Sequence, residues 1–267
     1  RPGGGRPRRA AACLQARAGA SPAPLKEELF QLCDEFRAKQ EEMWEMMDAE
    51  EKAGKAAKQG GPSLLEAESF AAQRTELGGE LAELRNRTVA AALAVAALNP
   101  TARPNFGWRG FGGGSPSECM LNGTWKLIFT DAADATFKKG RRGAATTFQE
   151  VDAEAGWFVN CVDFSGESKL RGFRVFVEGV ALGDAEMQLN FRKVKLLRRS
   201  RWLLGTITIP LPPPGLLRWI GSLFARRKGG EVNPSSRGAG FQLLYVDDDL
   251  RMHQTFDGLY FVQRRLG

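Results

Sequence analysis

Histidine is almost missing from this chain: His253 is the only one in 267 residues, and tyrosine occurs twice. A Ser-His-Asp arrangement, or a zinc site built on several imidazoles, would have to be assembled around that single ring, which argues against hydrolase chemistry of those kinds. Cysteine is sparse and unpatterned. Cys13, Cys33, Cys119 and Cys161 form no C-x-x-C pair and stand at no metal-ligand spacing, as expected of a reducing compartment without structural zinc. Nowhere does the chain reach the roughly 18 consecutive apolar residues that a spanning helix needs, so any membrane association is expected to be peripheral. Glycine is plentiful, yet the runs at 3–5 and 112–114 lack a following Lys-Ser/Thr and a strand-to-helix setting, so no nucleotide cofactor is expected. Asp247, Asp248 and Asp249 read as a turn and not as a metal site, because consecutive residues of an extended segment point to opposite faces.

The formal net charge of +7 invites a polyanion partner, but its excess is local. Arg1, Arg6, Arg8, Arg9 and Arg17 all fall within the first 25 residues, which hold no carboxylate, and the rest of the chain is close to neutral. A nucleic-acid partner is therefore not expected. Residues 1–24, rich in Arg, Ala, Gly and Pro and without apolar periodicity, have the character of an organelle transit peptide; a disordered basic tail is the plain alternative.

From Leu25 to Pro100 the pattern is helical. Leu25, Leu29, Leu32, Phe36, Met43 and Met47 share one face of a first helix that fades toward Gly60 and Gly61. Ser63 and Glu66 form a capping box for a second helix, carried by Leu77, Leu81, Leu84, Ala91, Val95 and Leu98 and stopped at Asn99-Pro100. Gly78 and Gly79 predict a kink or break inside it. Residues 101–118 read as a Pro/Gly/Ser linker, and beyond them the apolar period changes from helical to alternating. Trp125, Leu127 and Phe129, then Phe173, Val175 and Val177, then Met187, Leu189 and Phe191 each alternate with polar neighbours, and about nine such strands are predicted between 119 and 267. The expected fold is mainly β with N-terminal helices (α+β): an up-and-down antiparallel β-barrel preceded by two α-helices.

Two basic-apolar clusters stand out. After Pro212–Pro214, Leu216, Trp219, Ile220, Leu223 and Phe224 share one side of a short amphipathic run bordered by Arg218, Arg226, Arg227 and Lys228. It reads either as a segment dipping into an anionic membrane surface or as a helix capping one barrel end. Arg192, Lys193, Lys195, Arg198, Arg199 and Arg201 form a second cluster, either an extension of that surface or a solvated hairpin.

Three motifs in order carry a resemblance: Ala97-Leu-Asn-Pro-Thr101 closing a helix, Leu121-Asn-Gly-Thr-Trp-Lys-Leu-Ile-Phe-Thr130, and Tyr245-Val-Asp-Asp-Asp-Leu-Arg251 followed by Gly258-Leu-Tyr-Phe-Val262. Together with Thr147–Val151 and Val159–Phe164 they resemble the plastid lipid-associated protein family, also called plastid fibrillins, over roughly residues 63–265. The resemblance implies a lipocalin-like barrel behind a chloroplast transit peptide, at plastoglobules or thylakoids, binding prenylquinones, carotenoids, fatty acids or similar lipids. One departure is local: Met252-His253-Gln254 stands where family members commonly carry a second arginine soon after Leu-Arg.

The expected function is thus non-catalytic binding or carrying of a lipophilic small molecule, without cofactor or metal. Inward Trp125, Phe129, Trp157, Phe173, Phe191 and Trp202 are expected to line a cavity, with Arg251 near its mouth. A scaffold whose N-terminal helices dock on a photosynthetic membrane complex is the alternative; it needs an exposed apolar helix face. An enzyme acting on a lipophilic substrate would need a buried titratable group, for which His253, Asp163 and Glu150 are the candidates.

Overall fold

The computed structural model describes residues 22–57, 64–132, 144–167, 169–199, 205–211 and 238–267. Two long helices come first, α1 (Ala23–Ala57) and α2 (Leu64–Ala96). Pro24 sits in the first turn of α1, where a missing N–H costs nothing. Lys39 joins the helices, pairing with Glu42 in its own helix at 2.7 Å and with Glu80 of α2 at 2.8 Å. The expected break at Gly78-Gly79 does not occur: α2 runs through both glycines. Each costs only about 1 kcal/mol against alanine, and the packing of a long helix offsets that. Gly78 faces α1, where an added Cβ would stand 3.9 Å from Met43 Cε.

Among the described residues nine antiparallel strands follow: β1 (Gly123–Thr130), β2 (Ala145–Asp152), β3 (Trp157–Phe164), β4 (Leu170–Ala181), β5 (Glu186–Arg198), β6 (Thr206–Pro210), β7 (Gly240–Val246), β8 (Leu250–Thr255) and β9 (Tyr260–Leu266). Their order is β4-β3-β2-β1-β9-β8-β7-β5-β6, and β4 also pairs with β5. The hydrogen-bonded ladder therefore returns on itself through eight strands. β6 stands outside that circuit, on the far half of β5: Lys193–Leu197 pair with β6, whereas Glu186–Gln188 pair with β7.

Each strand in the circuit has an inner and an outer face, and each face has its own core. Inside lie Trp125, Val151, Phe158, Val177, Met187, Phe241, Leu243 and Val246. Outside, Phe129, Tyr245, Leu250, Met252 and Val262 receive Leu29, Cys33 and Phe36 of α1 and Ala92 and Val95 of α2. Fully burying a side chain of this size stabilises the fold by about 1.5–3 kcal/mol, which is what anchors helices of modest amphipathicity.

Bulges decide which residue faces which core. Opposite β9, one extra residue of β1 lies between Leu127 and Phe129, so Trp125 points inward while Phe129 points out to the helices. A second bulge between Leu243 and Tyr245 of β7 turns Leu243 inward and Tyr245 outward.

Residues 101–118, expected as a linker, are packed into the fold. Asn105 and Trp108 are buried, and Trp108 stacks on Phe158 at 4.6 Å while its indole N–H donates to Gly179 O at 3.1 Å. Gly107, at φ +84°, permits the approach, because a Cβ there would meet Ser115 O at 2.4 Å. This segment plugs one end of the ring. The Ala97–Thr101 motif fixes its start: Asn99 Oδ1 accepts from Thr101 N and Val246 N, both at 3.2 Å, and Thr101 Oγ1 donates to Val246 O at 2.7 Å.

Candidate functional site

Inside the ring, near the start of β8, lies a guanidinium. Alternation puts Arg251 and His253 on the inner face and Leu250 and Met252 on the outer one, against the helices. Arg251 is 1% exposed, which places it deep in the ring and not at its mouth as expected. Its Nε donates to Gln263 Oε1 at 2.8 Å, and its Nη2 donates to Gln263 Oε1 and Gln149 Oε1. Gln149 is held in turn by donating to Asn160 Oδ1 at 2.5 Å. The guanidinium lies 5.0 Å from the Trp125 ring and 5.9 Å from that of Phe158, both favourable cation–π distances. Arg265 approaches the Trp125 ring at 4.1 Å and donates to the carbonyls of Asp248, Asn122 and Met120, closing the plugged end.

Two nitrogens in this region are buried without a partner among the described residues, Arg251 Nη1 and His253 Nδ1. Burial, with the Arg265 cation second, pushes the Arg251 pKa down to about 9. Burial and the Arg251 charge hold His253 well below its usual value, so its ring is neutral at physiological pH. Phe261 stacks on that ring at 4.9 Å, and Phe241 lies 4.5 Å away.

Beyond His253, toward the end opposite the plug, the inner face is apolar. Phe173 pairs with Val162 and Leu196, Val175 with Asn160 and Val194, and Val177 with Phe158 and Phe191, so all of these share the inward register. Phe173, Phe191, Val194, Leu196 and Phe261 are nonetheless only half-buried. The plugged half of the interior, by contrast, is filled by Trp108, Trp125, Phe158, Met187 and Phe241.

Of the expected lining residues, the ring brings Trp125, Phe173 and Phe191 to the inner face. Phe129 is corrected outward: it makes an edge-on contact with Phe36 of α1 at 4.9 Å. Trp157 is also outside, edge-on to Phe176 at 6.2 Å with Lys193 above both rings. Trp202, and with it Leu216, Trp219, Ile220, Leu223, Phe224, Arg226 and Arg227, lies outside the described residues, so the membrane-contact reading has no structural account. The basic hairpin pairs within itself. Arg192 bonds Glu178, and Lys193 and Lys195 lie 4.6 and 4.8 Å from the Phe176 ring.

The other candidates do not converge. Asp163 faces outward, bound to Arg174 at 2.8 Å, and Glu150 shares that outer register, so neither stands beside His253. The Asp247–Asp249 segment is a turn: Asp247 Oδ1 accepts from Leu250 N at 2.9 Å. Asp247 Oδ2 accepts from Tyr245 Oη at 2.5 Å and Lys26 Nζ at 2.9 Å, tying the start of α1 to the sheet. Against the upward push of burial, those bonds hold the Asp247 carboxyl well below the usual carboxylate range. Among the described residues no group of three His, Cys, Asp or Glu is placed to hold a metal ion, and no helix is long and apolar enough to cross a membrane. Burial pushes the Cys33 and Cys161 thiols up to about 12, which leaves them unreactive.

A groove of about 160 Å³ opens outside the ring, between α1 (Phe36, Arg37, Gln40, Trp44) and the outer side of β1 and β2. On the apolar face of α1, Leu29, Leu32 and Phe36 are each no more than 6% exposed, whereas Met47 is 44% exposed.

What these elements define is a closed antiparallel meander, plugged at one end, flanked by two helices and holding one buried arginine. Compared with family models, with characterised proteins and with solved structures, the chain matches none.

Proposed function

We propose that the meander acts as a lipocalin-like barrel that holds or carries a lipophilic molecule and performs no bond chemistry. One observation carries the reading: Phe173, Phe191, Val194, Leu196 and Phe261 share the inward register and are only half-buried, so the unplugged half of the ring presents an apolar inner face that keeps part of its surface accessible. A pocket of this kind, mostly apolar with a few placed polar groups, is what small lipophilic ligands occupy. The resemblance to plastid lipid-associated proteins narrows the candidates to prenylquinones, carotenoids, fatty acids or related lipids, at a plastoglobule, thylakoid or stromal location in the chloroplast. The basic, Arg- and Ala-rich residues 1–24 support that compartment.

The test is native mass spectrometry of the protein purified from its own cells, with extraction and identification of bound lipid. A stoichiometric lipid supports the reading, and its loss on substituting Phe173→Asp or Phe191→Asp places it in the ring. A clean apo mass, with no uptake from a panel of quinone, carotenoid and acyl lipids, overturns it.

A further inference from the structure

Among the described residues, none supplies an anion to the buried cation of Arg251. Its partners among the described residues are the neutral amides of Gln263 and Gln149, and the one charged group acting on it electrostatically is another cation, Arg265. A guanidinium has five N–H donors. Nε and Nη2 take three of them, and Nη1 keeps two with no acceptor. An uncompensated buried charge costs several kcal/mol, and chains tolerate it where something arrives to neutralise it. Two residues along the same inner face, about 7 Å away by strand geometry, His253 presents a second unpartnered nitrogen, buried, on a neutral ring. As the Nδ1–H tautomer it donates. Above the pair begins the half-buried apolar lining.

Resting on the reading just given, we propose that this site takes a long-chain monocarboxylate head-down, its carboxylate accepting hydrogen bonds from Arg251 Nη1 and His253 Nδ1, and its chain running toward Phe173, Phe191 and Leu196. One negative charge matches one cation beside a neutral imidazole. A phosphate-headed amphiphile, with up to two charges and a larger head, would leave charge unbalanced beside a single guanidinium bounded by Trp125, Phe158 and the two glutamines. A neutral head would leave the guanidinium as costly as before.

The experiment compares hexadecanoate, methyl hexadecanoate, hexadecanol and hexadecyl phosphate on the full chain by calorimetric titration near neutral pH. A charged hydrogen-bonded head is worth about ten- to a hundred-fold in affinity over its neutral counterpart. Hexadecanoate is therefore expected to bind tightest by at least that lower margin, with Arg251→Met removing most of the preference and His253→Phe part of it. The wild-type comparison stands even if the arginine variant fails to fold. Equal binding of acid, ester and alcohol leaves the apolar-ligand reading intact and overturns the carboxylate site. Tighter binding of hexadecyl phosphate overturns it as well. Binding of none of the four overturns the carboxylate site, and uptake of a quinone or carotenoid in the same assay still leaves the apolar-ligand reading standing.

Discussion

Acidification from about pH 7.5 to about pH 5 isolates one side chain of this protein, because His253 is its only histidine and unperturbed carboxylates titrate lower. The ring is 7% exposed, packed between Phe261 and Phe241, with Arg251 two residues away on the same inner face. Burial and that cation hold its pKa well below the ordinary 6.5. In this window the unfolded chain takes up a proton that the folded chain refuses. Stability therefore rises with pH up to about 6.5 and falls on acidification below it, by up to about 1.4 kcal/mol per pH unit. Between pH 6.5 and pH 5 the loss is bounded at about 2 kcal/mol, a sizeable share of the roughly 5–15 kcal/mol that holds a domain together. Urea unfolding followed by tryptophan fluorescence at successive pH values measures it directly. The His253→Phe variant should show a flat profile over the same range, since phenylalanine fills the stack without a titrating nitrogen. A flat wild-type profile would show that the ring reaches water, and a slope that survives in the variant would assign the loss to another group; either outcome refutes the reasoning.

Two further outcomes test the packing. Trp108→Ala removes the plug's stack on Phe158 and its bond to Gly179, and should lower stability by about 3–5 kcal/mol in denaturant melts; a loss under about 1 kcal/mol would mean that residues 101–118 do not close the ring. A double-mutant cycle of Phe36→Leu and Phe129→Leu should give a coupling of about 0.5–1.5 kcal/mol, whereas additive effects would place Phe129 away from α1.

Much of the architecture was legible. Alternation located the strands around Trp125–Phe129, Phe173–Val177 and Met187–Phe191 and put their number at about nine, since a half-buried strand must repeat every second position; helix periodicity located α1 and α2. Residues that depend on register were harder. Trp125 and Phe129 are four apart on one strand and read as one face, but the bulge after Leu127 separates them, and no local sequence signal announced it. Trp157, expected inward, lies outside, and alternation could not decide its face because both sides of β3 are apolar: Phe158, Val162 and Phe164 inside, Trp157, Val159 and Cys161 outside. Residues 101–118 looked like a linker because glycine and proline dominate them, yet Trp108 and Asn105 carry the information that this segment is packed.

By itself, the sequence determined the element types, their order, and the confinement of excess positive charge to the first 25 residues. These follow from periodicity, spacing and counting, which are local properties. Only the tertiary structure decided that the ladder closes, that two cores lie on opposite faces of the same strands, and that Arg251 and His253 stand inside without a counter-ion among the described residues. The physical reason is that solvation and partnership depend on which distant strands meet: Arg251 is bounded by Gln149, more than a hundred positions earlier in the chain, and by Trp125 and Phe158 on two other strands.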